Sequence, residues 1–163
     1  MDEATPSATR KLIPARIDET WLTFDADLVQ EITAGRAWMP VPRASALVPG
    51  VVAWRGRAVA VLDLAALAEA GPGRREARGQ PRHRTVIAES SDCFLAMPVD
   101  VVHEVQDVDL ARVRAREASA FPHAPTEVEM FGTFAAIVDL PSLVRAVFEE
   151  GALGGHDPEE PSR

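Results

Sequence analysis

The chain reads as a mainly β protein made of two half-domains that share one topology, and three observations predict this. A segment repeats: WLTFDADLVQEI (Trp21 to Ile32) aligns with FLAMPVDVVHEV (Phe94 to Val105), pairing Asp27 with Asp100, Val29 with Val102, Glu31 with Glu104 and Ile32 with Val105. A second pair follows in the same order, GRAVAVLDLAAL (Gly56 to Leu67) against GTFAAIVDLPSL (Gly132 to Leu143), which matches Gly56 with Gly132, Asp63 with Asp139 and Leu64 with Leu140. Shared order at nearly constant offset marks duplication rather than chance likeness between amphipathic strands. Finally, short apolar runs bounded by turn residues recur about every eight to twelve residues, the spacing of small antiparallel barrels and not of a parallel sheet.

Residues 1–10 are small, polar or acidic and are expected to form a tail without fixed structure. Leu12 to Ile17 and Trp21 to Phe24 flank Asp18-Glu19-Thr20 as the arms of a hairpin. Val41-Pro42 and Pro49-Gly50 mark a connecting loop. A second hairpin follows, with arms Val51 to Trp54 and Ala58 to Leu62 around Arg55-Gly56-Arg57. The first half is thus placed at about 11–70, and GPGRREARGQPRHR (71–84) is a linker to a second half at about 85–150. That half opens with strands at Thr85 to Ala88, Phe94 to Met97 and Val101 to Val105. The polar stretch Asp107 to Ser119 has room for a helical turn, and a last hairpin spans Glu127 to Val138. Pro141 suits the first turn of a helix whose Leu143, Val144, Val147 and Phe148 share a face. Residues 151–163 (GALGGHDPEEPSR) form a second tail.

Composition narrows the function classes. The chain has 163 residues, 47% of them hydrophobic, enough to bury a core. A net charge of -8 argues against nucleic acid as a partner, since that affinity comes from Lys and Arg neutralising phosphates. Arg74, Arg75, Arg78, Arg82 and Arg84 make the linker locally cationic, but without interleaved aromatics to stack bases the segment reads as a solvated loop. MDEATPSATR has neither the basic nor the apolar region of a signal peptide, and no apolar run is long enough to cross a bilayer. A cytoplasmic protein is expected, with the single Cys93 as a reduced, half-buried thiol.

Catalytic chemistry is absent from the motifs. His83, His103, His123 and His156 are scattered, without the close spacing that gathers metal ligands on one element, and His103 and His123 read as exposed polar positions. There is no phosphate loop and no nucleophile elbow. Asp63 and Asp139 end matching strands, where capping the next turn explains them without acid-base work. Neither an enzyme nor a bound cofactor or metal is expected.

The run VPRASALVPGVVAWRGRAVAVLDLAALA, preceded by DADLVQEI and followed in the second half by VDVVHEV and AAIVDL, resembles the CheW-type chemotaxis coupling proteins. The resemblance rests on Glu31-Ile32, Pro40-Val41-Pro42, Gly50, Arg55-Gly56 and Leu62-Asp63-Leu64, and covers about Leu12 to Phe148. It departs from the family pattern at Arg43-Ala44-Ser45-Ala46, at the acidic turn Asp18-Glu19 and at Trp54. The resemblance implies two SH3-like five-stranded barrels packed together. It also implies a non-enzymatic adaptor that joins the cytoplasmic tip of a methyl-accepting chemoreceptor to the regulatory domain of a chemotaxis histidine kinase, with other CheW-like proteins as further partners. The alternative is a divergent relative that has lost one partner surface and regulates receptor and kinase assembly, or meets nucleic acid through the Arg-rich loop.

The same resemblance places Arg55 and Gly50 at the partner surface. Arg55 suits that role, because a hairpin tip does not need a guanidinium for folding and the other half carries Phe131 at the same place. A pairing of Arg55 with Glu31 inside the fold is the competing reading. Val29, Glu31, Ile87, Val102 and Val105 match positions that resemble the receptor- and kinase-facing surface, although each fits a barrel core or a plain strand position equally well.

Overall fold

A computed structural model of the chain describes residues 8–43, 47–66, 82–116 and 123–148. Linker residues 71–81, residues 1–7 and the C-terminal tail lie outside the described residues, whereas Thr9 and Arg10, expected in the unstructured N-terminal tail, belong to a strand.

The expected hairpins form. Strands β1 (Thr9–Ile17) and β2 (Thr20–Asp25) pair antiparallel around a turn in which Asp18 has φ +53°. Strands β5 (Gly50–Trp54) and β6 (Arg57–Val61) meet at Arg55 and Gly56, with φ +47° and +74°. Strands β12 (Thr126–Met130) and β13 (Thr133–Ile137) meet in the same way at Phe131 and Gly132, φ +52° and +74°. Two consecutive left-handed residues define the tight turn whose twist matches paired strands. β7 (Arg84–Ser90) and β8 (Cys93–Val99) make a fourth hairpin. Between the hairpins run β3 (Val29–Ala34), β4 (Met39–Pro40), β9 (Val101–Val102), β10 (Gln106–Asp109) and β11 (Arg114–Ala115).

The strands make two sheets, ordered β10-β1-β2-β13-β12-β11, with β9 also on β1, and β3-β7-β8-β6-β5-β4. Each sheet therefore takes one hairpin from one half of the chain and its remaining strands from the other. A boundary at the linker, with one barrel on each side, does not describe this arrangement: β1–β2 belongs with the second-half strands and β7–β8 with the first-half strands. The two sheets still correspond strand for strand, and the repeat fixes the register. Val29 opposes Ala88 on β7 while its match Val102 opposes Ala15 on β1. Ala60 and Ala136 enter the equivalent parallel pairings with Leu95 and Leu22. Asp63 and Asp139 occupy equivalent corners, their backbone N–H groups donating to Leu47 and His123 carbonyls at 2.8 Å in both cases. Their side chains accept from Ala65 N at 3.2 Å and Ser142 N at 3.1 Å, the capping expected of them.

The exchange is made at short corners. After β2, Asp25 accepts from Asp27 N at 3.2 Å and caps a 3-10 turn at Ala26–Leu28 that carries the chain into the other sheet. After β8, Asp100 makes the reverse crossing, its N–H donating to Arg16 O at 2.8 Å. The strand expected through Val105 stops at Val102 and resumes at Gln106. The cause lies on β1, where Pro14 has no N–H to give the ladder and only its carbonyl is used, by His103 N at 2.9 Å. The polar stretch that follows holds β10, a 3-10 turn at Leu110–Arg112 and β11.

The largest apolar cluster lies between the sheets and joins Ile17, Leu22 and Phe24 from one to Leu62, Leu95 and Met97 from the other. Helix α1 (Leu140–Phe148) contributes Leu140, Leu143, Val144 and Val147 to it. Phe148, expected on the same face, is exposed. Each sheet also encloses a smaller cluster of its own, Val52, Trp54, Val59, Val61, Ile87 and Ala96 in the β3-to-β4 sheet and Leu12, Val108, Val128 and Ile137 in the other.

Candidate functional site

At the β5–β6 turn the sequence Trp54-Arg55-Gly56-Arg57 sets its side chains by alternation along two paired strands. Trp54 closes β5 facing inward and is buried, whereas Arg55, in the turn, leaves 68% of its side chain exposed. The indole Nε1–H of Trp54 donates to Glu31 Oε2 at 2.6 Å, and Arg55 Nη2 reaches the same oxygen at 3.6 Å. The Arg55 guanidinium lies 4.8 Å from the Trp54 ring centroid. Phe94, on β8, stacks on Trp54 at 5.1 Å and carries Arg57 over its face at 5.0 Å. Arg36 Nη1 donates to the Ala53 carbonyl at 2.6 Å.

These contacts have a structural duty as well. β3 and β5 are far apart in the ladder order, yet Glu31 and Trp54 touch, so the sheet curls enough to bring β3 to β5. The meeting is made by side chains. Arg55 thus pairs with Glu31 across this seam, as the competing reading has it, while most of its side chain stays exposed over the Trp54 ring. An exposed pair of this kind is worth about 0–1 kcal/mol to the fold.

The other expected contact residues divide. Val29 and Val102 are half-buried against the inter-sheet core, and Val105 is exposed. Ile87 is 1% exposed inside the cluster around Trp54 and presents no surface. Gly50 is buried too: a Cβ there would lie 2.3 Å from Met39 O and 2.6 Å from Trp38 Cδ1, so its glycine is required by the close approach of β4. Ile87 and Gly50 are therefore packing residues. The sequence reading missed Trp54, Phe94, Arg57 and Arg36 as parts of the site. An aromatic beside an Arg-Gly-Arg turn was the visible signal, but nothing linear brings Phe94 to it.

The cationic linker also differs from expectation where it is described. Arg82 is not solvated: its side chain is 12% exposed, and Nη1 donates to Asp100 Oδ2 at 2.8 Å and to Asp18 Oδ1 at 3.2 Å. Burial alone would lower its pKa, but the hydrogen bonds and charges of Asp18 and Asp100 outweigh that and raise it. Arg84 is exposed, and Arg74, Arg75 and Arg78 lie outside the described residues. His123, expected at the surface, is half-buried with Nδ1 3.2 Å from Ser142 Oγ. Cys93 is half-buried, as expected.

The site offers exposed cationic donors at a hairpin tip, seated on aromatic rings. Among the described residues no group of three or more His, Cys, Asp or Glu could hold a metal ion, and no helix is long and apolar enough to cross a membrane.

The chain matches the family model described as CheW-like domain over residues 11–148. Its fold is similar to the crystal structure of the scaffolding protein TtCheW from Thermoanaerobacter tengcongensis, with a TM-score of 0.67 at 18% sequence identity over 80% of this chain and 89% of that one. No curated protein sequence matches significantly. A repeat whose two copies take equivalent places in the two sheets and a family match over nearly the whole described chain lead to one conclusion: this protein belongs to the CheW-like domain family of non-enzymatic chemotaxis scaffolds.

Proposed function

We propose that the chain is a cytoplasmic adaptor that couples the tip of a methyl-accepting chemoreceptor to the regulatory domain of a chemotaxis histidine kinase, with Arg55 as a partner contact. The observation that carries this reading is the exposed guanidinium of Arg55 at φ +47°, a backbone region disfavoured for a long side chain and better served by Asn or Gly. Contacts with Trp54 and Glu31 bias its orientation, which lowers the entropy lost on binding a carboxylate. Val29, Val102 and Val105 supply apolar surface in the same reading. Arg82 is committed to Asp18 and Asp100, which weighs against a nucleic-acid role for the linker.

Calorimetric titration of a purified receptor cytoplasmic fragment, and separately of the kinase regulatory domain, tests the proposal. Arg55→Ala should weaken at least one of these by about 2 kcal/mol, as for an interfacial hot spot, while stability changes by about 0.5 kcal/mol. Unchanged binding to both would overturn the Arg55 contact. A double-mutant cycle with Glu31→Gln separates loss of the internal pair from loss of the partner.

A further inference from the structure

Two strand edges with unused main-chain groups face one cleft in the sheet that runs from β10 to β11. Among the described residues no strand pairs with the outer edge of β10, and β11 covers β12 only at Thr126 and Glu127. Along an antiparallel pair, residues that exchange both main-chain hydrogen bonds alternate with residues that exchange none. Leu110 N donates to Ala8 O at 2.9 Å in the register of β1 and β10, so Val108 and Gln106 are bonded to β1 and Asp107 turns its N–H and C=O away from it. In the β12–β13 hairpin the two-residue turn makes Met130 and Thr133 a bonded pair, so Val128 is bonded to Ala135 and Glu129 turns its N–H and C=O outward. Glu127 uses its own outward side on Arg114, but Glu129 has no strand beside it.

The two edges meet across a cleft of about 230 Å³. Asp107 and Val108 line it from β10, Val128, Glu129 and Met130 from β12, and Arg112 and Phe131 complete its rim. Val108 and Val128 are buried in the cluster beneath, whereas Asp107 and Glu129 are exposed. The rim charges balance, since Asp107 pairs with Lys11 at 3.2 Å and Glu129 and Arg112 are one of each sign. In the other sheet the Trp54–Glu31 bond ties β3 to β5; here Met130 takes the place of Trp54 before the turn and has no side-chain N–H to give. Phe131 is 54% exposed and holds φ +52°, a conformation costly for an aromatic residue and concentrated at functional surfaces.

We infer that this cleft takes an extended segment of another protein as an added strand between β10 and β12. A helix cannot serve these edges, because its own main-chain groups are bonded internally. Direction and face both agree with a strand. Through β1, β2 and β13 the pairings make β10 and β12 run in opposite directions, so an inserted strand is antiparallel to one and parallel to the other. Antiparallel bonds join residues directly opposite, and parallel bonds are staggered by one residue, so such a strand reaches both edges only if their free residues share a face. Asp107 and Glu129 do share one, the exposed face. Main-chain bonds then supply affinity and alternate side chains supply specificity. The inward side chains rest on Val108, Val128 and Met130 and are apolar; the outward ones meet a rim without net charge and are neutral and polar. The inference goes beyond the adaptor reading and does not involve Arg55, which lies on the other sheet.

The probe is an acetylated, amidated Thr-Val-Thr-Val-Thr peptide, titrated into the isotope-labelled full chain and followed by NMR. In the free chain the amides of Asp107 and Glu129 should exchange rapidly with solvent. Peptide should shift the resonances of Asp107, Val108, Val128 and Glu129 and slow exchange at the two edge amides, with a dissociation constant on the order of 1 mM for so short a strand. N-methylation of both valines keeps every side chain but removes the donors toward one edge, and should weaken binding about tenfold or more. Glu129→Pro removes an N–H that the hairpin does not use, so the fold should hold and binding should be lost. The methylated peptide tests the same point on the unaltered chain. Shifts absent from these residues, or binding indifferent to methylation, would overturn the inference. So would amides of Asp107 and Glu129 already protected in the free chain, because the chain would then fill the cleft itself. Protection that rises with protein concentration would likewise overturn it, by making the occupant a second copy.

Discussion

Arg82 and Asp100 are joined by a 2.8 Å bond at the point where the chain leaves one sheet for the other. The same guanidinium holds Asp18 in the β1–β2 turn, and Asp18 N donates to Asp100 Oδ2 at 2.6 Å. Three distant stretches, the β1–β2 turn, the approach to β7 and the β8–β9 corner, are tied in one partly buried knot. Replacing Arg82 with Met would remove the guanidinium that both carboxylates share. The cost should lie between that of a broken buried pair and that of a surface pair, about 2 kcal/mol in a denaturant melt. Loss below about 0.5 kcal/mol would show that solvent already screens the cluster.

The exchanged hairpins predict that the halves cannot fold separately. A chain cut within residues 67–81 should yield two fragments that are each unfolded by circular dichroism, because each lacks a hairpin from the middle of its sheet. Mixed, they should recover the native spectrum. A fragment that folds alone would show that one half can close a sheet with its own hairpin.

Gly50 and Ile87 should behave as packing positions. Gly50→Ala must displace the β4 backbone at Met39 and should cost about 1–3 kcal/mol, the range for overpacking. Ile87→Ala removes a side chain from the cluster around Trp54 and should cost about 2–5 kcal/mol. Partner affinity measured well below the melting temperature should be little altered in either. A specific loss of binding with stability intact would return them to the partner surface.

Trp54→Phe keeps the aromatic seat for Arg55 but removes the N–H that Glu31 accepts. Stability should fall by about 1 kcal/mol, the net worth of one such hydrogen bond. Arg55→Ala made in that background should show a coupling, since both residues share one carboxylate oxygen. Additive effects would mean that the two donors act independently.

What the sequence determined by itself was everything that depends on local order. The hairpins came from alternating apolar runs and from Arg-Gly and Phe-Gly turns. Asp63 and Asp139 could be read as caps because capping involves residues two or three positions away. The repeat gave the equivalence of the two sheets, and the family resemblance gave Arg55 and Glu31. Only the tertiary structure decided which hairpin enters which sheet: β1–β2 and β7–β8 have the same pattern of inward and outward residues, and such a pattern fixes the face a strand buries, not the neighbour it pairs with. For the same reason Ile87 fitted surface and core alike until the curl of its sheet enclosed it, and Gly50 looked like surface until β4 was laid on it at Met39. Arg82 looked solvated until the crossing at Asp100 brought two carboxylates to it, a charge balance that forms only when segments remote in sequence meet.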